Sequence, residues 1–393
     1  MTVAAFMDLV LYHPQLGYYA RAAQRSGRAG DFVTSVDVGP VFGQLLAVQI
    51  EEMFDLLSRP ASLSSAPSSS SAGFDLVEAG AGNGRLSADI LRALREAHAP
   101  HVDRVRLHLV EASEEARRAQ GDMLGDLAER LASSSESLPA SFQGVLVANE
   151  LLDALPVHQV IMREDGLRET YVVASRQSPV ASQENGGAEL ETGDWRLGTG
   201  DWSLRTIEGP PSTPALAAYF DRLGIVLEPG WRTEVNLRAI DWIRVAARRL
   251  RQGFLLIIDY GHEAHDLYSA SHAAGTLTAF EKHHTRRDAG RVGWLDRPGH
   301  QDLTAHVDFT SVRAAAEEEG LATLGFMDQT YFLMGILAGA SSNPLNPLNL
   351  NDRLALKTLL MPGGLGSTHK VLVLGRNVGT PVLRCASFGQ RVT

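Results

Sequence analysis

The chain has 393 residues, a formal net charge of −10, 44% hydrophobic and 21% charged residues. That is the balance of a globular protein with room for one elaborated α/β domain or two smaller ones. The acidic balance argues against nucleic acid or an anionic membrane as partner, and a single cysteine, Cys385, rules out an intrachain disulfide and a cysteine metal cluster.

Residues 1–57 read as an N-terminal helical segment interrupted by the glycine-rich loop Gly27-Arg28-Ala29-Gly30, with Val41 to Leu57 patterned as an amphipathic helix. The first residues lack the basic start of a signal peptide, and no apolar run approaches the ~20 residues of a membrane span. A cytoplasmic location without membrane insertion is therefore expected. Residues 58–73 are rich in serine, alanine and proline, as in a flexible linker or surface insertion.

A cofactor-binding half follows over residues 74–175. Phe74-Asp-Leu-Val-Glu-Ala-Gly-Ala-Gly-Asn-Gly84 takes an apolar run into an acid and three alternate glycines. Arg85 to Leu94 then has the stripe of a helix. Strand, glycine turn and helix bring bare backbone and a helix N-terminus up to a ligand. Arg106 to Glu111 reads as the second strand and Ser113 to Leu131 as a helix capped by Ser113. Ala132 to Gln143 offers no convincing third strand, whereas Val145 to Ala148 is a buried one. Val157 to Val173 suggests a hairpin turning at Glu164-Asp165-Gly166.

Residues 176–235 hold a polar insertion and a helix from Thr213 to Leu223. A second core half spans 236–380, ahead of a tail at 381–393. It has a helix from Leu237 to Leu250 and the most apolar strand of the chain, Phe254 to Ile258. A helix from Phe309 to Gly320, a strand within Thr323 to Phe332 and a last strand from His369 to Leu374 complete it. Strands alternating with helices imply a mostly parallel sheet with its sites at the strands' C-terminal ends.

The glycine spacing discriminates between cofactors. A dinucleotide fingerprint wants its third glycine at position 85, which is Arg85. The pattern Glu78-x-Gly80-x-Gly82-x-Gly84 instead resembles motif I of class I S-adenosylmethionine (SAM) methyltransferases. In those enzymes a second acid, ending the next strand, bonds the ribose hydroxyls, and Glu111 stands in that place. Further motifs narrow the match: Gly30-Asp-Phe-Val-Thr-Ser35, Asn149-Glu-Leu-Leu-Asp-Ala-Leu-Pro-Val-His158, Ile258-Asp-Tyr-Gly-His262, Gly275-Thr-Leu277 and Asp302-Leu-Thr-Ala-His-Val-Asp-Phe309. In this order, from about Phe6 to Gly375, they resemble the MidA-like SAM methyltransferases, a family that includes a mitochondrial assembly factor methylating an arginine of complex I. Val36-Asp37 departs from the family's Pro-Glu, and Ala81 stands where proline is common. No adenine contact is assigned, and Glu136 reads as a solvated loop acid.

The resemblance implies a class I, Rossmann-like α/β fold with helices on both sheet faces and N-terminal and inserted helical or hairpin elements over the cleft. It also implies SAM as cofactor, held by Glu78, Gly80, Gly82, Gly84, Glu111, Asp31, Thr34, Ser35 and Asn149. Glu150, Asp153 and Asn149 become the catalytic candidates. If a helix starts near Glu150, both acids share one face; the same residues also suit an ordinary helix start capped by Asn149. Asp259 can face the substrate. Methyl transfer to a guanidinium, which arrives charged, needs such carboxylates to orient it and accept its proton. A protein arginine acceptor is expected. A small-molecule N- or O-methyltransferase and a SAM-binding assembly factor with little catalysis are the alternatives, and an NAD-linked oxidoreductase ranks last. His158, His262 and His306 fall singly along the chain, so no metal site is expected. A homodimer is compatible with the sequence, which does not decide it.

Overall fold

A computed structural model describes residues 1–22, 34–59, 73–176, 202–281, 284–285, 293–339, 349–361, 364–389 and 392. Asp31 and the glycine loop around Gly27 lie outside the described residues, as does most of the polar insertion after Arg176. The chain opens with α1 (Val3–Tyr12), α2 (Tyr18–Ala22) and α3 (Val41–Ser58), then β1 (Phe74–Ala79), α4 (Arg85–Glu96), β2 (Val105–Val110), α5 (Glu114–Leu124), β3 (Leu131–Ser135) and β4 (Phe142–Asn149). β5 (His158–Arg163), β6 (Gly166–Arg176), β7 (Trp202–Gly209), α6 (Ala215–Leu223), β8 (Arg232–Val235), α7 (Leu237–Arg249) and β9 (Leu250–His262) follow. The rest comprises α8 (Ala264–Leu267), β10 (Thr278–Glu281), β11 (His284–Thr285), β12 (Asp302–Thr304), β13 (Val307–Asp308), α9 (Phe309–Glu318), β14 (Ala322–Asp328), α10 (Gln329–Gly339), α11 (Leu350–Leu360), α12 (Leu365–Thr368) and β15 (His369–Arg376).

The main sheet has the order β14-β15-β9-β4-β1-β2-β3, and β13 adds to the C-terminal end of β9. The five strands from β9 to β3 are parallel, while β15 runs antiparallel between β9 and β14. The apolar run of β9 explains its central place: Phe254, Leu256 and Ile258 enter the layer formed with α3, α4, α10 and α11. Leu255 and Ile257 enter the opposite layer with α6, α7 and α9. A strand covered on both faces must be apolar at every position. Each of these fully buried side chains contributes roughly 1.5–3 kcal/mol.

The third strand, not expected from sequence, is present as β3, parallel to β2 with Leu107 opposite Leu131 and His108 opposite Ser133. It escaped notice because a partly exposed edge strand needs few apolar residues, and here serines bond inward instead. Ser133 Oγ lies 2.8 Å from His108 Nδ1, and Ser134 Oγ donates to Gln120 over 2.6 Å. The preceding helix is correspondingly shorter than expected, ending at Leu124 before a 3₁₀ turn over Gly125–Arg130.

The hairpin forms as expected: β5 and β6 pair with Arg163 opposite Gly166, within the antiparallel sheet β7-β6-β5-β8. α1 lies against it, the Met1 ammonium donating to the Val172 carbonyl at 2.9 Å. Val3, Phe6, Met7, Val10 and Leu11 pack there with Val157, Val172, Trp294 and Leu295. This apolar staple brings the N-terminus over the C-terminal ends of the parallel strands. No helix among the described residues is long and apolar enough to cross a membrane.

Candidate active site

The glycine loop leaves β1 with Gly80, Gly82 and Gly84 at φ of +73°, +50° and +83°. Gly80 and Ala81 donate their N–H groups to the Val110 carbonyl at 2.9 and 3.1 Å. A Cβ on Gly80 or Gly84 would come within 3.1 Å of a leucine methyl, whereas one on Gly82 would meet nothing within 4 Å. Gly82 therefore presents bare backbone to open space, the approach a ligand needs.

Glu111 holds this loop from the end of β2. Its Oε2 accepts the Gly82 N–H at 2.9 Å and its Oε1 the Ser113 N–H at 2.7 Å. Gln120 Nε2 donates to the Gly82 carbonyl at 2.8 Å. Glu78, expected to touch the cofactor, turns beneath the loop and accepts from the Ser87 amide at 3.1 Å and from the Ser87 hydroxyl. It thereby ties β1 to the first turn of α4. Burial pushes its carboxyl up to about 7.

The second constellation grows from the end of β4. The helix expected at Glu150 does not form: residues 150–157 are turns, and Glu150 takes a φ of +50°. A non-glycine residue there costs on the order of 1–3 kcal/mol. Its amide donates to the Ile258 carbonyl at 2.8 Å. Its carboxylate Oε1 accepts from the Ser35 amide at 3.0 Å and from Asn149 Nδ2 at 3.3 Å, and lies 3.4 Å from His369 Nε2.

Asp259 fixes this turn from β9. One of its oxygens, Oδ2, accepts the amides of Leu151 at 3.1 Å and Leu152 at 2.7 Å, so it positions the acids and does not offer a free face to substrate. Burial first, and then the Glu150 charge, push its carboxyl up to about 7. Asp153 is buried with Oδ1 unpartnered. Burial first, then the charges of Asp259, Glu150 and Asp302, push it well above the usual carboxylate range. Asn149 Oδ1 is likewise buried without a hydrogen-bond partner.

Residues 34–37 bridge the two constellations. Thr34 Oγ1 donates to Asp37 Oδ2 at 3.0 Å, Arg85 reaches Asp37 at 3.4 Å, and the buried Ser35 hydroxyl donates to Gln329 Oε1 at 3.1 Å. Sequence reasoning missed Tyr12, which donates to the Ala154 carbonyl at 3.1 Å, and Tyr19, which donates to Asp302 Oδ1 at 3.0 Å. It also missed His369. Asp302 opens the motif Asp302-Leu-Thr-Ala-His-Val-Asp-Phe309, which carries no catalytic signal of its own; the others carry no local signal. His158 stands apart, paired with Glu169 at 2.8 Å in the hairpin sheet. His262 and His306, read as isolated, converge with His272, their ring centroids 4.8 to 6.0 Å apart. Sequence separation had concealed that meeting. Glu136 pairs with Arg117 at 3.1 Å and is exposed, as a solvated acid would be.

Residues 45–327 match the family model of S-adenosyl-L-methionine-dependent methyltransferases. The chain belongs to this family. It is 30% identical, over 86% of its length and 71% of the relative's, to the mitochondrial protein arginine methyltransferase NDUFAF7 of Rattus norvegicus. The Drosophila melanogaster homologue of that protein is 26% identical over 95% of this chain and 80% of its own. A likely methyl transferase of the COG1565 superfamily from Burkholderia thailandensis, crystallised with S-adenosyl-homocysteine, superposes with a TM-score of 0.77 at 29% identity, covering 100% of this chain and 91% of that one.

The protein is thus a SAM-dependent methyltransferase with the expected class I fold and cofactor. The bare backbone of Gly82, the poised Glu111 and the orphaned Asn149 Oδ1 fit such a cofactor. The cytoplasmic expectation is overturned, because the relatives from rat, mouse and fruit fly are mitochondrial by name.

Proposed function

We propose that this methyltransferase modifies an arginine side chain of a protein substrate. The observation that carries this reading is the gathering of Glu150, Asp153, Asp259 and Asp302 at the C-terminal ends of β4 and β9 and the start of β12. The charges of Asp259, Glu150 and Asp302 each bear on the titration of Asp153. A guanidinium, charged below pH ~12 and carrying five N–H donors, matches a set of acids in which Asp153 Oδ1 is buried without a partner. The names of the animal relatives support the same acceptor.

In this reading Gly80, Gly82, Gly84, Glu111, Thr34, Ser35 and Asn149 hold the cofactor, which supplies an electrophilic methyl on a sulfonium. Glu150 orients the guanidinium, localises lone-pair density on one nitrogen and accepts its proton. Its fixed backbone and the contacts from Ser35 and Asn149 set its direction beforehand. Asp153, whose carboxyl burial raises well above the usual range, accepts a second N–H through its unpartnered Oδ1.

The test is incubation with methyl-labelled SAM and matched peptides bearing arginine or lysine, alongside small amines and alcohols, with the label located by mass spectrometry. Label on arginine supports the proposal. Label confined to lysine or to the small molecules overturns the acceptor while leaving the methyltransferase intact.

A further inference from the structure

Outside this site, three imidazoles from distant parts of the chain meet in one place. His262 ends β9 and lies opposite Asp308 of β13; His306 directly precedes that strand; His272 belongs to the 3₁₀ turn Ala270–His272. One ring nitrogen of each lies within 4.8 Å of those of the other two. We propose that His262, His272 and His306 bind one divalent cation of the zinc class, clipping the Ala270–His272 turn and the start of β13 onto the end of β9.

The ring environments support this assignment. Nδ1 of His272 lies 2.9 Å from the Asp266 carbonyl oxygen, which can only accept, so that nitrogen carries the hydrogen and Nε2 keeps its lone pair. A backbone carbonyl behind a histidine ligand is the usual outer support of a metal site. Nδ1 of His306 is buried with no hydrogen-bond partner, a loss that a bound cation would remove. Three imidazoles without a thiolate suit zinc, and also copper or nickel, ahead of calcium or magnesium. Tetrahedral ligation at about 2.0–2.1 Å brings nitrogens to roughly 3.3 Å from one another, so side-chain rotation within the present cluster is enough. Water takes the fourth position. The clip is separate from methyl transfer, though His306 lies four residues from Asp302 of the acid cluster.

The full chain, tag-free and stripped with a chelator, is titrated with zinc against a chromophoric chelator, and its thermal unfolding is followed with and without zinc. One equivalent should bind with a Kd in the micromolar range or below and raise Tm. His306→Ala and His272→Ala should each weaken binding on the order of 100-fold and abolish the rise in Tm. Both variants should retain S-adenosylhomocysteine binding as the sign that they fold. Glu51→Gln, in the separate Glu51, Asp55 and His101 group, should bind zinc like the wild type. Absence of saturable binding by the wild type overturns the proposal, as does equal affinity in either folded histidine variant.

Discussion

The glycine loop after β1 and the acid turn after β4 lie on neighbouring parallel strands, at the same edge of the same sheet. The loop is assembled from residues 78–87 with Glu111 and Gln120, and its polar groups largely satisfy one another. The turn draws on Ser35, Asn149, Glu150, Asp259 and His369, and it leaves Asn149 Oδ1 and Asp153 Oδ1 buried and unpaired. A nearly closed network holds its shape before a ligand arrives, whereas buried atoms without partners gain about 1–3 kcal/mol each when a ligand supplies them. The first region is thus a preformed cradle. The second is the one with unfilled hydrogen-bonding capacity.

Glu150→Gln is the largest perturbation of this contrast. It keeps the shape and loses the base, so methyl transfer should fall on the order of 10²–10⁴-fold. S-adenosylhomocysteine affinity, measured by calorimetry, should change only a few-fold. Comparable losses of rate and affinity would make Glu150 itself a cofactor-binding residue rather than the base.

Gly82→Val strikes the other region. The left-handed φ costs about 1–2 kcal/mol for a non-glycine residue, and the branched side chain fills the bare approach. Affinity for S-adenosylhomocysteine should drop by about 100-fold. Glu111→Ala should cost about 1.5–3 kcal/mol, a tenfold loss of affinity or more, by removing a charge-assisted contact and freeing the Gly82 amide. Undiminished affinity in that variant would move the ribose contact elsewhere.

The smallest effect is on stability and follows from Glu78. Its carboxyl is raised from the ordinary 4.5 to about 7 by burial. Across that window the folded chain keeps a proton that the unfolded chain has released, so this group lowers stability as pH rises, most fully above about 7. Glu78→Gln cannot ionise. It should gain on the order of 1–3 kcal/mol over the wild type above about pH 7, with the difference closing toward pH 4.5. Urea midpoints for both proteins at about pH 5 and pH 8 would read this, and a difference that grows toward low pH would mean an ionised, paired Glu78.

The two regions also differ in how far the sequence disclosed them. The run Phe74 to Gly84 carries its strand, its turn and the start of its helix in adjacent residues. Glu111 was found because an apolar run ends beside it. By contrast, Glu150 and Asp153 share a face only if a helix starts near Glu150, and the Asp259 carboxylate captures the Leu151 and Leu152 amides and holds a turn there instead. β3 was overlooked because serines at an edge can bond inward where a central strand must be apolar.

By itself the sequence determined the alternation of strands and helices, the apolar order of the parallel core, the glycine cradle and the family. All of these are written in local periodicity or contiguous motifs. The tertiary structure alone decided that Glu78 supports the loop from below, that Tyr19 and His369 reach the acids and Tyr12 the Ala154 carbonyl beside them, and that three histidines meet. Those outcomes depend on contacts between residues from nine to nearly three hundred positions apart, which packing brings together and no local pattern records.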